Sequence, residues 1–382
     1  MAVEEFSFHI ADDVIQDVLD RVRRSRWPRR LGDGGWGFGV SHDFMRRFVD
    51  YWTNDYDWRK TEAELNRWPQ FRADIGDCKI HFYHVRGEGD TPRPLLLTHG
   101  WPGSVLEFLP MIDALTHPSR YGGNVSDAFT VVIPSAPGFA ASEFPDGQAM
   151  GPVMTADLWR TLMVDILGYE RFGVQGGDFG AIVNIQMAER FPAHVVAMHL
   201  NLFPVAMGPQ DQLSAEEAAY AEQCGAFAAR EFGYMNLHAI KPNTVAFALA
   251  DNPLGTAAWI LEKFQVWSDN DGDILDAFTL DQLCANVSLY AFTDTIDTSI
   301  RFYEGFGREL GGIYRPFHKT DVPTGLAIFP RELIPGRPPR SWAERQYDIR
   351  RWTEMPRGGH FAAMEQPDLL VADIQAFFRE YL

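Results

Sequence analysis

Residues 171–192 read RFGVQGGDFGAIVNIQMAERFP, and this stretch limits the fold more than any other. An apolar run ends in two glycines, an aspartate and one further glycine, and an amphipathic run follows. A tight turn joining a strand directly to a helix needs small residues around its apex, because the strained backbone passes close to the helix. The pattern therefore predicts a strand, a turn with Asp178 at its apex between Gly176, Gly177 and Gly180, and a helix. The same alternation runs on either side. RPLLLTHG, FTVVIPSAPGF, FGVQGGD and VVAMHLNLF are short apolar runs ending in loop residues, while residues 156–167 and 181–190 have helical spacing. Continuous apolar strands alternating with amphipathic helices imply an α/β chain with a mostly parallel sheet covered on both faces.

The alternation stops between about residues 204 and 318, where SAEEAAYAEQCGAFAAREFGYM, PLGTAAWILEKFQVW and LDQLCANVSLYAFTDTIDTSIRFYEGF read as helices. Strands return with VPTGLAIFP and YDIRRWTEMP, and DLLVADIQAFFREYL closes the chain as a helix. The expected organisation is an N-terminal segment over 1–92, a first core part over 93–204, a helical insertion over 205–318 and a second core part over 319–382. Such an insertion arches over the carboxyl ends of the strands, where ligands bind in open α/β sheets. Two motifs are set aside. GDGGWGFG has no strand before it, as a phosphate loop requires, and SDNDGDILD places its glycine wrongly for a calcium loop and reads as a solvated turn.

Composition excludes several classes. A formal net charge of −18, from 34 Lys+Arg against 52 Asp+Glu, disfavours nucleic acid and anionic membrane as partners. No apolar run reaches the length of a membrane span, and MAVEEFSFHIADD lacks the regions of a signal peptide. Cys78, Cys224 and Cys284 are too few and too far apart for a disulfide framework or a metal set, as expected of a cytoplasmic chain. A homodimer is left open as the assembly.

The apex residue frames the chemistry. Many hydrolases carry a nucleophilic serine at such a turn, whereas the bland role for an aspartate there is to cap the helix. Partners in the matching order favour chemistry. His360 in GGHFAAMEQP follows the last predicted strand, in the place of a base, and Glu332 in LAIFPREL lies just beyond another strand, in competition with Asp321 and Asp348 for the role of acid. LTHGWPGS can aim the amide of Trp101 into the site beside that of Phe179 as an oxyanion hole. There His99 holds the loop by hydrogen bonds and Trp101–Pro102 suits a cis bond. A carboxylate is suited to backside attack on an sp3 carbon, giving an alkyl ester on Asp178 that water activated by His360 hydrolyses. A halide would leave toward indole donors beside the nucleophile, and Phe179 supplies none. An epoxide oxygen needs a proton, which phenols of pKa ~10 can give. The insertion holds several tyrosines, notably Tyr234 and Tyr303, each of which read alone is a packing residue. Trp259, Phe264, Trp267 and Phe302 point to an apolar substrate.

With HGWPGS, PSAPGFAAS, QGGDFGA, GYMNLHAIKPNTVAFALADNPLGTAAWILEKF, RFYEG, VPTGLAIFPREL and RGGHFAAMEQP, the chain resembles microsomal-type epoxide hydrolases of the α/β-hydrolase fold. The match covers nearly the whole chain and includes an N-terminal segment with DYDWRKTEAELNRWPQF. The resemblance implies Asp178 as nucleophile, His360 as base and Glu332 as its acid. It implies that Tyr234 and Tyr303 hold and protonate the epoxide oxygen, with Trp101 and Phe179 as oxyanion amides. A small apolar epoxide would lie against Trp101, Phe179, Trp259 and Phe302, with no metal or organic cofactor. The N-terminal segment would wrap core and insertion. Membrane-bound relatives carry a hydrophobic anchor ahead of that segment; without one, this chain is expected to be soluble. Haloalkane dehalogenation on the same Asp178 ester, and a ligand-binding protein without turnover, are the alternatives.

Overall fold

The computed structural model describes residues 2–143, 145, 147–204, 213–311, 319–333 and 337–382. The apolar runs become strands because a backbone buried on both faces satisfies its polar groups only by pairing with neighbours. The strands in chain order are β1 (Val3–Glu5), β2 (Gln70–Ile75), β3 (Cys78–Val85), β4 (Arg93–Thr98), β5 (Phe129–Pro134), β6 (Phe172–Gly176), β7 (Val195–Leu200), β8 (Pro323–Ile328) and β9 (Asp348–Glu354). They form one sheet in the order β1-β2-β3-β5-β4-β6-β7-β8-β9. From β5 through β9 every neighbouring pair is parallel. Every residue of β5 and β6 is buried, which is why both read as unbroken apolar runs.

β1, β2 and β3 extend the sheet antiparallel along one edge. The sequence reading assigned no strands there. β2 and β3 carry Arg72, Asp74, Lys79, His81 and His84, and this polarity masks the alternation of a half-covered edge. One local signal was present. Ile75 pairs with Cys78 across Gly76 and Asp77, and Gly76 has φ +60°. Glycine at the first central position of a two-residue loop is a hairpin signature.

The rest of the N-terminal segment packs on the insertion. The indole of fully buried Trp52 donates to Ser288 Oγ at 2.8 Å, and the Trp58 ring meets that of Phe292 edge-on at 5.1 Å. The described insertion helices, from Ala215 to Leu310, lie between β7 and β8. Among the described residues no helix is long and apolar enough to cross a membrane.

The turn after β6 is tight enough to test. A side-chain carbon on Gly180 would sit 1.9 Å from the Thr98 carbonyl oxygen, which is backbone and has nowhere to go. Gly180→Ala is therefore expected to destabilise the fold by about 3 kcal/mol or more. Thermal denaturation checks this, and an unchanged Tm would contradict the packing described.

Candidate active site

Asp178 opens the helix Asp178–Arg190 with φ +48°, a left-handed conformation costly for any residue with a side chain. Gly177 is the capping residue and no side chain caps this helix, so the bland role for Asp178 does not apply. Instead its Oδ1 accepts a hydrogen bond from the Trp101 amide at 2.9 Å, across the carboxyl ends of β4 and β6. The Trp101–Pro102 bond is cis. Buried His99 holds this loop from beneath: Nδ1–H donates to the Gly100 carbonyl at 3.1 Å and Nε2 accepts from the Ala136 amide at 3.1 Å. Burial pushes its pKa down to about 4, so it is neutral at ordinary pH.

His360 lies between two carboxylates. Its Nε2 is 3.3 Å from Asp178 Oδ2 and its Nδ1 is 2.5 Å from Glu332 Oε1. The competing acids lie elsewhere: Asp321 is exposed, and Asp348 accepts from Arg350 at 3.0 Å at the start of β9. Burial pulls the His360 pKa down, but the charges and hydrogen bonds of Glu332 and Asp178 more than reverse this and hold it well above its ordinary value. Around it, Glu365 accepts from the amides of Asp269, Gly359 and Phe361 at 2.8–3.0 Å, and Asp269 accepts from that of Gly358 at 2.7 Å. The stretch read as a solvated turn thus ties down the histidine loop, because its first aspartate faces inward.

The insertion brings Tyr234 and Tyr303 together. The Tyr303 hydroxyl donates to that of Tyr234 at 3.4 Å, and both residues are buried. Burial above all, and then the nearby Asp178 charge for Tyr234 and the partner phenol for Tyr303, raise both pKa values, so both keep their protons. The Trp101 ring stacks on Tyr234 at 5.4 Å and meets Tyr303 edge-on at 5.7 Å. Trp101 therefore touches the Asp178 carboxylate through its backbone and both tyrosines through its ring. The Phe179 ring packs against Phe302 and Tyr303, each at 4.6 Å. Trp259 stands further out, its indole donating to His238 Nε2 at 3.0 Å.

A cavity of about 20 Å³, bounded by Asp178, His360, Trp101, Gly103, Glu107 and Phe361 among others, has room for about one water molecule. Glu107 was not singled out from sequence. Burial raises its pKa to about 8, so it sits there as a neutral acid. Nothing in GSVLEF distinguishes it from a surface carboxylate; its placement comes from the loop after β4. Among the described residues no group of His, Cys, Asp and Glu side chains is arranged to hold a metal ion.

A parallel sheet, an acid at the turn after β6, a histidine–carboxylate pair beyond the later strands and helices inserted over the site define an α/β-hydrolase. Similarity to known proteins narrows the class. Residues 3–108 match the family described as epoxide hydrolase N terminus, and residues 93–222 that described as alpha/beta hydrolase fold. A relative from Stigmatella aurantiaca (strain DW4/3-1) is 42% identical over 99% of this chain and 85% of its own. Epoxide hydrolase 1 of Oryctolagus cuniculus is 35% identical over 98% of this chain and 88% of its own. The solved Aspergillus niger epoxide hydrolase superposes with TM-score 0.86 at 30% identity, covering 100% of this chain and 97% of that one. The juvenile hormone epoxide hydrolase of the silkworm Bombyx mori gives TM-score 0.86 at 28% identity over 99% and 94%. The chain belongs to the epoxide hydrolase family and is a hydrolase.

Proposed function

We propose that the chain converts a small apolar epoxide and water to a vicinal diol through an alkyl ester on Asp178. One observation carries this reading: the Asp178 carboxylate has the Trp101 amide on one oxygen and His360 on the other, and that same Trp101 packs its ring against both phenols of the Tyr234–Tyr303 pair, stacked on Tyr234 and edge-on to Tyr303. In the first step an Asp178 oxygen attacks an epoxide carbon. The ring C–O bond breaks, and its electron pair goes to the oxygen, which takes a proton from one phenol and a hydrogen bond from the other. In the second step His360 removes a proton from water as the hydroxide adds to the ester carbonyl carbon. The amides of Trp101 and Phe179 hold the oxyanion. The tetrahedral intermediate then expels the diol oxygen, which takes the proton from His360, and the proton left on the regenerated carboxyl restores the phenol.

The geometry gives His360 a reason to change role between the steps. In the free enzyme it is an imidazolium between two carboxylates. Esterification removes the Asp178 charge, so the His360 pKa falls, the ring gives up its proton to solvent and becomes a base when one is needed; it takes a proton back once the carboxylate is regenerated. Ester hydrolysis is then expected to slow as pH drops and His360 is protonated. Glu332→Gln removes the remaining partner and should lower that pKa, moving the acid limb to lower pH while slowing the plateau about tenfold to a hundredfold. Single-turnover hydrolysis rates against pH check this; an acid limb that stays in place would mean Glu332 does not act on His360. In this scheme 93–204 and 319–382 carry Asp178, Glu332 and His360, 205–318 carries the phenols, and 1–92 braces the insertion.

The deciding experiment is a single turnover of styrene oxide in water enriched in oxygen-18. Unlabelled diol with label entering Asp178 supports the ester; label appearing directly in the diol would mean that water attacks the epoxide and the reading is wrong.

A further inference from the structure

Lys263, on the helix Pro253–Trp267, is only 5% exposed. Lysine is rarely buried without cause. Its ammonium pairs with Glu262 at 2.5 Å and lies over two aromatic rings, 4.4 Å from the centroid of Tyr234 and 5.6 Å from that of Trp267. A packing role would explain the stem, with Glu262 neutralising the charge. Yet the side chain of Glu262 keeps 18% of its surface exposed and that of Lys263 only 6%, so the ammonium is carried further in than its partner and onto the rings. What burial adds is a cation on the face of the Tyr234 ring.

We infer that Lys263 is an electrostatic positioning residue for ring opening, its charge stabilising the negative charge that Tyr234 takes on as the epoxide oxygen is protonated. This rests on the role given to Tyr234 above. During alkylation the Asp178 carboxylate becomes a neutral ester, and the same unit of charge appears on the alkoxide and the phenols. A cation against the receiving ring lowers the energy of that transfer, and in a dry pocket the effect is large. His238 meets the rings of Tyr234 and Tyr303 at 5.5 and 4.8 Å but contributes no charge, since burial pushes its pKa down to about 3. Water attack on the ester changes charge at His360 and Asp178, and the phenol regains its proton only after the ester has broken.

The two half-reactions therefore separate the roles. Lys263→Met is expected to slow alkylation of Asp178 by styrene oxide about tenfold, or ~1.4 kcal/mol, while ester hydrolysis keeps its rate and Lys263→Arg retains most of the alkylation. In a Tyr234→Phe background the same change should cost less than about twofold, because the group it acts through is gone. Equal losses in both backgrounds, or in both half-reactions, would reduce Lys263 to packing. Glu262→Gln leaves the ammonium on the ring and should alkylate no more slowly than the parent. A tenfold loss there would put the effect in the ion pair and overturn the inference. Should Tyr234→Phe alone alkylate at the parental rate, the role of Tyr234 falls, whatever Lys263 does.

Discussion

His360→Gln enzyme mixed with excess styrene oxide is expected to release almost no diol and to accumulate one alkyl group on Asp178. Glutamine can neither take a proton from water nor return one to the departing diol. Ester hydrolysis should therefore slow by about 10³-fold, within the usual range for a positioned acid–base group. Alkylation does not use His360 as acid or base, and should continue. The carboxylate loses an imidazolium partner at 3.3 Å, which if anything makes it a freer nucleophile. Mass measurement of the peptide containing Asp178 after a brief exposure checks this directly. Steady diol formation at the parental rate would mean that another group activates water. An unmodified peptide with no diol would place the nucleophile elsewhere.

The second large effect falls on the opposite half-reaction. Replacing both Tyr234 and Tyr303 by Phe should slow alkylation by about 10³-fold or more, since loss of one preorganised donor to a developing oxyanion already costs about 10²-fold. Each single variant should be milder, because the remaining hydroxyl can donate alone. Binding should change little: both rings stay, and with them the stack on Trp101. Pre-steady-state alkylation rates for the four enzymes decide the matter, and a double variant with the parental rate would remove the phenols from the mechanism.

What the sequence revealed of this arrangement follows from how local each signal is. Asp178 was legible because its glycines are demanded by the turn it occupies, and His360 because a strand end and a helix start bracket it. Glu332 needed the structure to separate it from Asp321 and Asp348, since the three differ only in where the chain takes them. The tyrosines stood out once an epoxide oxygen needed a proton, but only the family resemblance lifted them above packing residues, because aromatic residues on a helix look alike. The hairpin of β2 and β3 was hidden because both strands carry polar residues, among them the buried His81, although Gly76 marked its turn. Glu107 and Lys263 left no trace, because nothing local marks a charged side chain that tertiary packing will bury.

The double use of Trp101 has a consequence for how this enzyme can fail. In the mechanism proposed above, its amide sets the height of the Asp178 nucleophile and its ring sets the two phenols, so the spacing between attack and protonation would be written into one amino acid. Were the helices carrying the phenols to lift from the core, the amide would stay with the sheet while the proton donors departed. Such an enzyme could finish a turnover it had begun but could not start another, so loosening the insertion would lower commitment to new substrate without stranding the ester already made.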